Sequence, residues 1–167
     1  MSARTAALAS FLALGVALGS SAGADPISVG PALLELDALW VGGPPAAEGS
    51  PLLVRTSGDG VLVVTRAPAG NTPAWRSATR DAYMTEVEKG LLAGAEKLAL
   101  TRKKLGKDNV NVIDATVRRK GPKGGTEVVA VRILLFRTLT IAAAAAAPDT
   151  RAGRKLVETA VAGLSPR

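Results

Sequence analysis

The chain has 167 residues, carries 21 Lys and Arg against 14 Asp and Glu for a formal net charge of +7, and contains neither cysteine nor histidine. This length predicts one domain. The missing cysteine excludes disulfides, thiolate metal sites, a cysteine nucleophile and the lipid-bearing Cys of a bacterial lipoprotein. The missing histidine removes the commonest general base and metal ligand. The positive charge favours anionic partners in a general way, although an alanine- and arginine-rich composition can also follow from genome base composition alone.

Residues 1–24 have the features of a secretory signal peptide. Arg4 precedes an apolar stretch from Ala6 to Leu18, and small residues follow up to Ala24. We therefore predict export to the periplasm or the extracellular space, with a single α+β domain over residues 25–167 that starts at Asp25. An uncleaved anchor and a buried N-terminal helix are the alternatives; the short, glycine-containing apolar stretch disfavours both.

Two stretches predict strands near the start of the mature chain. Apolar and polar residues alternate over Pro31–Val41, which favours one half-buried strand, with a short helix as the alternative. Leu52–Thr56 and Val61–Ala67 flank Ser57-Gly58-Asp59-Gly60, and two β-branched runs around such a turn predict a β-hairpin.

From Ala74 the apolar spacing changes to that of a helix. The spacing predicts one long central helix that begins after Thr79 as N-cap and ends near Gly106. Gly90 and Gly94 fall inside it, which predicts close approach of this helix to the sheet. The predicted buried stripe consists of Tyr83, Val87, Leu91, Ala95 and Leu98.

One strand and a long apolar run follow, and the strand is predicted to pair with the first part of the run as a hairpin. Val110–Arg119 alternates and is joined by the loop Lys120–Gly125 to Thr126–Pro148, a long β-branched and apolar run. This run is too long for one ordinary strand, so we predict two antiparallel strands, Thr126–Leu135 and Thr138–Ala146, that reverse near Phe136-Arg137. One long bent strand and a membrane span are the alternatives, and the arginines inside the run argue against the span.

The C-terminal segment predicts an amphipathic helix that follows Asp149 as N-cap and stops at Pro166. Its predicted apolar stripe consists of Ala152, Leu156, Val157, Ala160, Val161 and Leu164. The whole pattern predicts an α+β fold, a mainly antiparallel sheet flanked by the long central helix and the C-terminal helix.

No stretch carries a catalytic motif, and no cofactor or metal site is predicted. Asp114 is expected to pair with Arg132 across the hairpin as a structural ion pair. A hydrolase that uses carboxylates alone is disfavoured, and it would need Asp114, Glu127 and a further acid in one cleft. Trp40, Trp75 and Tyr83 are expected in the core.

Three groups of basic residues are candidates for binding an anionic head group, glycan or phosphate if they converge; otherwise they are solvated surface charge. Nucleic acid is disfavoured because aromatic residues make up only 3% of the chain, which leaves few stacking platforms. The candidates are Arg102, Lys103, Lys104 and Lys107; Arg118, Arg119 and Lys120 with Lys123; and Arg151, Arg154 and Lys155.

Three stretches between Trp75 and Leu164, AYMTEVEKGLLAGAEKL, NVIDATVRRKG with TEVVAVRILLFRTLTIAAAAAAP, and RKLVETAVAGLSP, follow an order of helix, sheet meander and closing helix. This arrangement resembles the α/β/α sandwich of the PsbP and Ran-binding Mog family. The resemblance implies a non-enzymatic adaptor with no particular ligand, and it transfers no functional residue. We therefore expect a secreted adaptor or binding protein of the bacterial envelope; the alternative is an electrostatic binder of anionic lipid or polysaccharide.

Overall fold

The computed structural model describes residues 25–42, 52–68, 77–122 and 124–167. The predicted signal peptide, Trp75 and Lys123 lie outside these ranges. In chain order the described elements are β1 (Ile27–Val29), β2 (Ala32–Leu34), β3 (Val41–Gly42), β4 (Leu53–Ser57), β5 (Gly60–Pro68), α1 (Ser77–Leu92), β6 (Glu96–Leu105), β7 (Val110–Lys120), β8 (Thr126–Leu135), β9 (Leu139–Pro148), α2 (Arg151–Ala162) and β10 (Leu164–Pro166).

The strands form two antiparallel sheets, which confirms the α+β class. The large sheet has seven strands in the order β3-β4-β5-β9-β8-β7-β6, and a small one has the order β1-β2-β10. β2 pairs with β1 on one side and with β10 on the other, so the small sheet brings the first two strands together with the last one.

The β8–β9 hairpin at the centre of the large sheet confirms the predicted reversal, and it rules out one long bent strand. Val128–Leu135 are buried on both faces of β8, as the apolar run predicted. The turn contains no glycine; it closes through a hydrogen bond of 2.9 Å from the Phe136 N–H to the Leu139 carbonyl. Neither helix among the described residues has the length and hydrophobicity that crossing a bilayer requires.

The other two predicted hairpins are also confirmed. Ser57 and Gly60 lie opposite each other in β4 and β5, which leaves Gly58 and Asp59 as a two-residue turn. Gly58 adopts a positive φ of 55°, a conformation that glycine reaches at little cost. β7 and β8 pair along their length with Asp114 opposite Arg132, the register that the predicted ion pair requires.

The predicted strand over Pro31–Val41 is wrong in its extent, because only β2 and β3 are extended there. Asp37 interrupts it: its carboxylate accepts a hydrogen bond from the Leu39 N–H, and its carbonyl accepts one from the Trp40 N–H. Such an aspartate turn competes with strand pairing. Trp40 is nevertheless buried in the core, as expected.

The predicted long central helix is wrong in its second half. α1 begins at Ser77, so Thr79 lies inside the helix, and it ends at Leu92. Gly94 has a φ of +69°, and the chain then continues as β6. The left-handed glycine ends the helical path, and pairing with β7 fixes the following residues as a strand.

The predicted buried face of α1 also needs correction. Among the α1 residues from Arg80 onward, Met84 is the buried one, whereas Tyr83 is 37% exposed. Val87 and Leu91 pack against the core as predicted. A Cβ added at Gly90 would meet nothing within 4 Å, so this glycine marks open space and no close approach to the sheet.

The C-terminal helix is confirmed with shifted ends. Thr150 is the N-cap in place of Asp149, and its hydroxyl accepts a hydrogen bond of 2.9 Å from the Gly153 N–H. Val157, Ala160 and Val161 are buried, but Ala152 is exposed. Leu164, predicted on the helical stripe, is buried on β10, and Pro166 lies in the same strand.

The helices lie on opposite faces of the large sheet. The α2 face of the sheet buries the larger cluster, which includes Leu62, Ile141 and Val157. The α1 face buries a smaller cluster, in which Met84 meets Ile113 of β7 and Val131 of β8. The sheet is therefore the middle layer of an α/β/α sandwich.

Candidate functional site

A groove with four cationic side chains lies where α2 begins, beside the end of β7. Its volume is about 490 Å³, and we call it the basic groove. Two carboxylates and one threonine complete its walls. The lining residues are Arg118, Asp149, Thr150, Arg151, Arg154, Lys155 and Glu158.

The groove forms because two distant stretches of chain end at the same edge of the domain. β9 runs to Pro148, Thr150 caps α2, and the helical spacing then places Arg151, Arg154 and Lys155 on neighbouring turns of one face. Arg118 comes from near the end of β7, and its side chain reaches Asp149 at the start of this segment. The second and third groups of predicted basic residues therefore meet, in part, at one site.

Asp149 is the electrostatic centre of the basic groove. Its Oδ2 lies 2.6 Å from Nε of Arg118, and its Oδ1 lies 3.3 Å from Nη2 of Arg154. The hydrogen bond from Arg118 lowers the pKa of Asp149. Arg118 also donates to Glu96 at 2.8 Å; the hydrogen bonds to Glu96 and Asp149 raise the pKa of its guanidinium. Arg118 is thus held in place as a wall of the groove.

Arg151 and Lys155 differ from Arg118, because neither forms an ion pair with any residue in the described ranges. Both are exposed. Their charges are available to a ligand without breaking an existing salt bridge. The groove therefore combines a fixed part, Arg118 with Asp149, and a free part formed by the exposed cations.

The remaining predicted cations do not join the basic groove. Arg119 pairs with Glu127 directly across the β7–β8 ladder at 2.6 Å, and Lys120 is exposed at the end of β7. Lys104 and Lys107 are exposed on β6 and in the turn after it. The first predicted group thus stays separate from the other two.

Two cations of the first group are occupied in salt bridges. Arg102 donates from Nε and Nη2 to the carboxylate of Glu88 on α1, at 2.5 and 2.8 Å. This hydrogen bond lowers the pKa of Glu88 and raises that of Arg102. Nζ of Lys103 lies 2.6 Å from Oδ2 of Asp114. Both cations are therefore engaged in salt bridges within the protein.

The predicted pair of Asp114 and Arg132 is confirmed as a half-buried network. Nε and Nη2 of Arg132 donate to the two carboxylate oxygens at 2.6 and 3.0 Å. Burial acts to raise the pKa of Asp114, but the hydrogen bonds from Arg132 and Lys103 outweigh it and leave the pKa below its ordinary value. A carboxylate that is ionised and fully paired is a structural group and a poor general acid.

The acids that a carboxylate-only hydrolase would need do not share a cleft. Glu127 lies five positions from Arg132 along β8, which corresponds to about 17 Å along a strand, and Arg132 is opposite Asp114. Among the described residues, no three or more Asp and Glu side chains are grouped so that they could hold a metal ion.

The sequence did not identify three members of the basic groove. Asp149 was predicted as a helix cap, and Thr150 and Glu158 were not considered as site residues. The signal that could have found them is the order Pro-Asp-Thr before an Arg-rich helix start. A capped helix that follows a strand begins at the end of that strand, so its first turns lie at the end of the sheet.

No protein-family model and no curated protein sequence matches the chain. Solved structures do match. The solution structure of cyanobacterial PsbP (CyanoP) from Synechocystis sp. PCC 6803 is 13% identical with a TM-score of 0.57, covering 96% of this chain and 99% of that chain. A crystal structure from Bacteroides thetaiotaomicron VPI-5482 is 13% identical with a TM-score of 0.50, covering 82% of this chain and 45% of that chain. The chain therefore has the PsbP-like fold, and this confirms the resemblance read over Trp75 to Leu164.

Proposed function

We propose that the protein is an exported, non-enzymatic binding protein of the bacterial envelope, which docks on an anionic partner through the basic groove. The observation that carries this proposal is the convergence of Arg118 with Arg151, Arg154 and Lys155 from two separate stretches of chain. The chain has no histidine or cysteine, which fits a role in binding better than one in catalysis.

The groove suits an anionic group for two physical reasons. Arginine and lysine donors on adjacent helical turns can bind the same phosphate or carboxylate from several directions. The first turn of α2 adds backbone N–H groups and the positive end of the helix dipole. We therefore expect the exposed side chains of Arg151 and Lys155 to bind the anionic group of the partner.

The test compares two double variants of the full chain with the same loss of charge. Arg151→Gln with Lys155→Gln removes the two free cations of the groove, and Lys104→Gln with Lys107→Gln removes two exposed cations away from it. Binding is measured on phosphatidylglycerol vesicles by sedimentation and on a sulfated polysaccharide column by retention. We expect the groove variant to lose about 2 kcal/mol of binding free energy, roughly 30-fold in affinity, on at least one of the two probes.

The control variant is expected to lose less than about threefold, because it changes only the net charge of the protein. Equal losses in the two variants would show that attraction depends on overall charge, and the proposal would then fail. Wild-type binding should also weaken steeply as salt is added, since exposed charges are screened.

Export is tested separately. Arg4, the apolar stretch from Ala6 to Leu18 and the small residues up to Ala24 support a cleaved signal. We expect the full-length chain expressed in a Gram-negative bacterium to appear in the periplasmic extract, with a mass that corresponds to a start at Asp25. A cytoplasmic protein that retains Met1 would contradict the export part of the proposal.

A further inference from the structure

A second groove lies near the start of β7, whereas the basic groove lies near the end of that strand. Its volume is about 460 Å³, and we call it the polar groove. The β6–β7 turn, the end of β8 and the turn after β8 form its walls, and α1 contributes Arg80. Asn111 and Arg118 are seven positions apart on β7, which corresponds to about 23 Å along a strand. The two grooves are therefore separate sites.

Four polar side chains line the polar groove and are available to a ligand. They are Asp108, Asn109, Asn111 and Arg137. None of them forms an ion pair or a side-chain hydrogen bond with another residue in the part of the chain that the structure describes. In the basic groove, by contrast, Arg118 and Arg154 are paired with Asp149. The polar groove therefore presents donors and acceptors that a ligand can use without breaking an existing bond.

Asn111 is the half-buried member of this set, and it lies opposite Leu135 in the β7–β8 ladder. Among the described residues, every fully buried side-chain nitrogen or oxygen has a hydrogen-bond partner. The carboxamide of Asn111 has none, so it must reach solvent, and the polar groove is the opening that it lines. It can therefore bond to a ligand in the groove while the strand stays in place.

The β6–β7 turn fixes two further members of the set. Leu105 and Val110 pair at its base, so the turn has four residues. Gly106 and Asn109 have positive φ values of 72° and 50°, and the Asn109 N–H donates to the Gly106 carbonyl at 3.3 Å. Asparagine tolerates this backbone conformation better than most residues. The turn thus holds the backbone of Asp108 and Asn109 in a defined position beside β7.

Apolar side chains form the rest of the wall. Val110 and Leu135 are buried, and Phe136 is half-buried. Apolar walls with a few polar groups are the usual form of a site for a small ligand, and the volume of the polar groove lies in the range of such sites.

Two simpler ligands fit the polar groove less well. An inorganic anion would be attracted by Arg80 and Arg137 but repelled by Asp108, and the two asparagines add no charge. A purely apolar ligand would remove water from the four polar groups and give them no partner, which costs free energy. A neutral ligand with many hydrogen-bonding groups avoids both penalties.

We infer that the polar groove binds an oligosaccharide of N-acetylated amino sugars. Sugar hydroxyls both donate and accept, and each acetamide adds one N–H and one carbonyl, which match the two asparagine carboxamides, the aspartate and the arginine. The acetyl methyl group and the C–H faces of the rings suit the apolar wall at Leu135 and Phe136. This site is additional to the basic groove, and the inference does not depend on the proposed function.

The test compares two disaccharides that differ in one kind of group. Chitobiose and cellobiose have the same ring form and the same linkage, but chitobiose carries an acetamide on each ring where cellobiose carries a hydroxyl. Each is titrated into the isotope-labelled full chain, and binding is followed by NMR chemical shifts. We expect chitobiose to bind at least about fivefold more tightly than cellobiose. The largest shifts should fall at residues 108–111 and 135–137.

Two substitutions locate the hydrogen bonds. Asn111→Leu replaces the carboxamide with an apolar group of similar size, and Arg137→Gln removes a guanidinium from an exposed turn. We expect each to weaken chitobiose binding about threefold to tenfold. Arg66→Gln is the matched control for Arg137→Gln, because Arg66 is exposed and does not line the polar groove, and it should leave chitobiose binding unchanged. If Asn111→Leu fails to fold, Arg137→Gln against this control still decides the question.

No binding of chitobiose, or equal binding of the two disaccharides, would overturn the inference. Shifts centred on Arg151 and Lys155 would overturn it as well, since they would place the sugar in the basic groove. The proposed function is decided separately by the charge variants of the basic groove, so either proposal can fail while the other stands.

Discussion

Arg132 binds Asp114 on the neighbouring strand and also joins the sheet to the C-terminal segment. Its guanidinium binds the carboxylate of Asp114 on the neighbouring strand through two nitrogens, and Nη1 donates to the carbonyls of Ala162 and Leu164 at 2.7 and 3.2 Å. The residue is only 8% exposed, so these bonds replace nearly all of its hydration. One side chain thus joins β7, β8, the end of α2 and β10.

The first prediction follows from this position. Arg132→Ala should lower the free energy of unfolding by about 3 to 5 kcal/mol, because it leaves a half-buried carboxylate and two carbonyls without their donor. Arg119→Ala is the matched control, since Arg119 pairs with Glu127 directly across the same ladder but is more exposed. It should cost less than about 1 kcal/mol. Urea unfolding measures both, and similar losses would contradict the assignment.

The second prediction concerns pH. Burial acts to raise the pKa of Asp114 but is outweighed by its hydrogen bonds from Arg132 and Lys103, and the hydrogen bonds from Arg118 and Arg102 lower the pKa of Asp149 and Glu88. These carboxyls bind protons more weakly in the folded chain than in the unfolded one. Their contribution to stability is therefore complete above the ordinary carboxyl pKa of about 4 and is lost as the pH falls below it.

Urea unfolding at a series of pH values checks this. Stability should stay level from about pH 7 to pH 5 and fall steadily below about pH 4. Asp114→Asn should be less stable at neutral pH and should show a shallower fall in acid, because one of the groups responsible has been removed. If the stability of Asp114→Asn falls as steeply in acid as that of the wild type, Asp114 does not contribute to the pH dependence.

The third prediction uses two glycines inside helices. Gly153 lies in the first turn of α2, where an added Cβ would clash with the carbonyl of Pro148; Gly90 lies in α1, where an added Cβ would meet nothing within 4 Å. Alanine normally stabilises a helix interior relative to glycine by about 0.5 to 1 kcal/mol. We expect Gly90→Ala to show that gain and Gly153→Ala to lose about 1 to 3 kcal/mol. Thermal unfolding distinguishes the two signs, and stabilisation by both would show that α2 lies farther from β9 than described.

The fourth prediction concerns adjacent alanines of β9. Ala145 is fully buried under α2, whereas Ala144, one residue earlier, is half-buried on the α1 face. Ala145→Leu should cost about 1 to 3 kcal/mol by overpacking. Ala144→Leu should change stability by less than about 1 kcal/mol. Equal losses of stability, measured by urea unfolding, would mean that the two faces of β9 are packed equally tightly.

The sequence could predict the hairpins because their signals are local. β-Branched residues make up about two-fifths to one-half of β4, β5, β7 and β8, and the glycine turn of the first hairpin is explicit. The segment Glu96–Leu105 was assigned to the helix because Leu91, Ala95 and Leu98 happen to repeat at helical spacing. A bulge between Lys97 and Ala99 then sends Leu98 to the α2 face and Leu100 to the α1 face, so no strand alternation was visible.

The basic groove was predictable only in its parts. The cations of β7 and of α2 could be recognised one by one, but their meeting depends on strand order and on where α2 starts. The salt bridges of Arg118 with Glu96 and Asp149 join three separate elements. Such choices of partner depend on side-chain conformations in the folded state, which no local pattern specifies.

The strand β9 contains six consecutive alanines, Ala142–Ala147, between β5 and β8. Alanine has the highest intrinsic preference for helix of all residues, so this segment is conformationally ambivalent and takes its extended form from its neighbours. Excised as a peptide, it would favour coil and helix; in the intact chain, hydrogen bonding to β8 in the adjacent hairpin and to β5, far away in sequence, holds it extended. The centre of the sheet therefore contains a strand whose extended form is set by its two neighbours and not by its own residues.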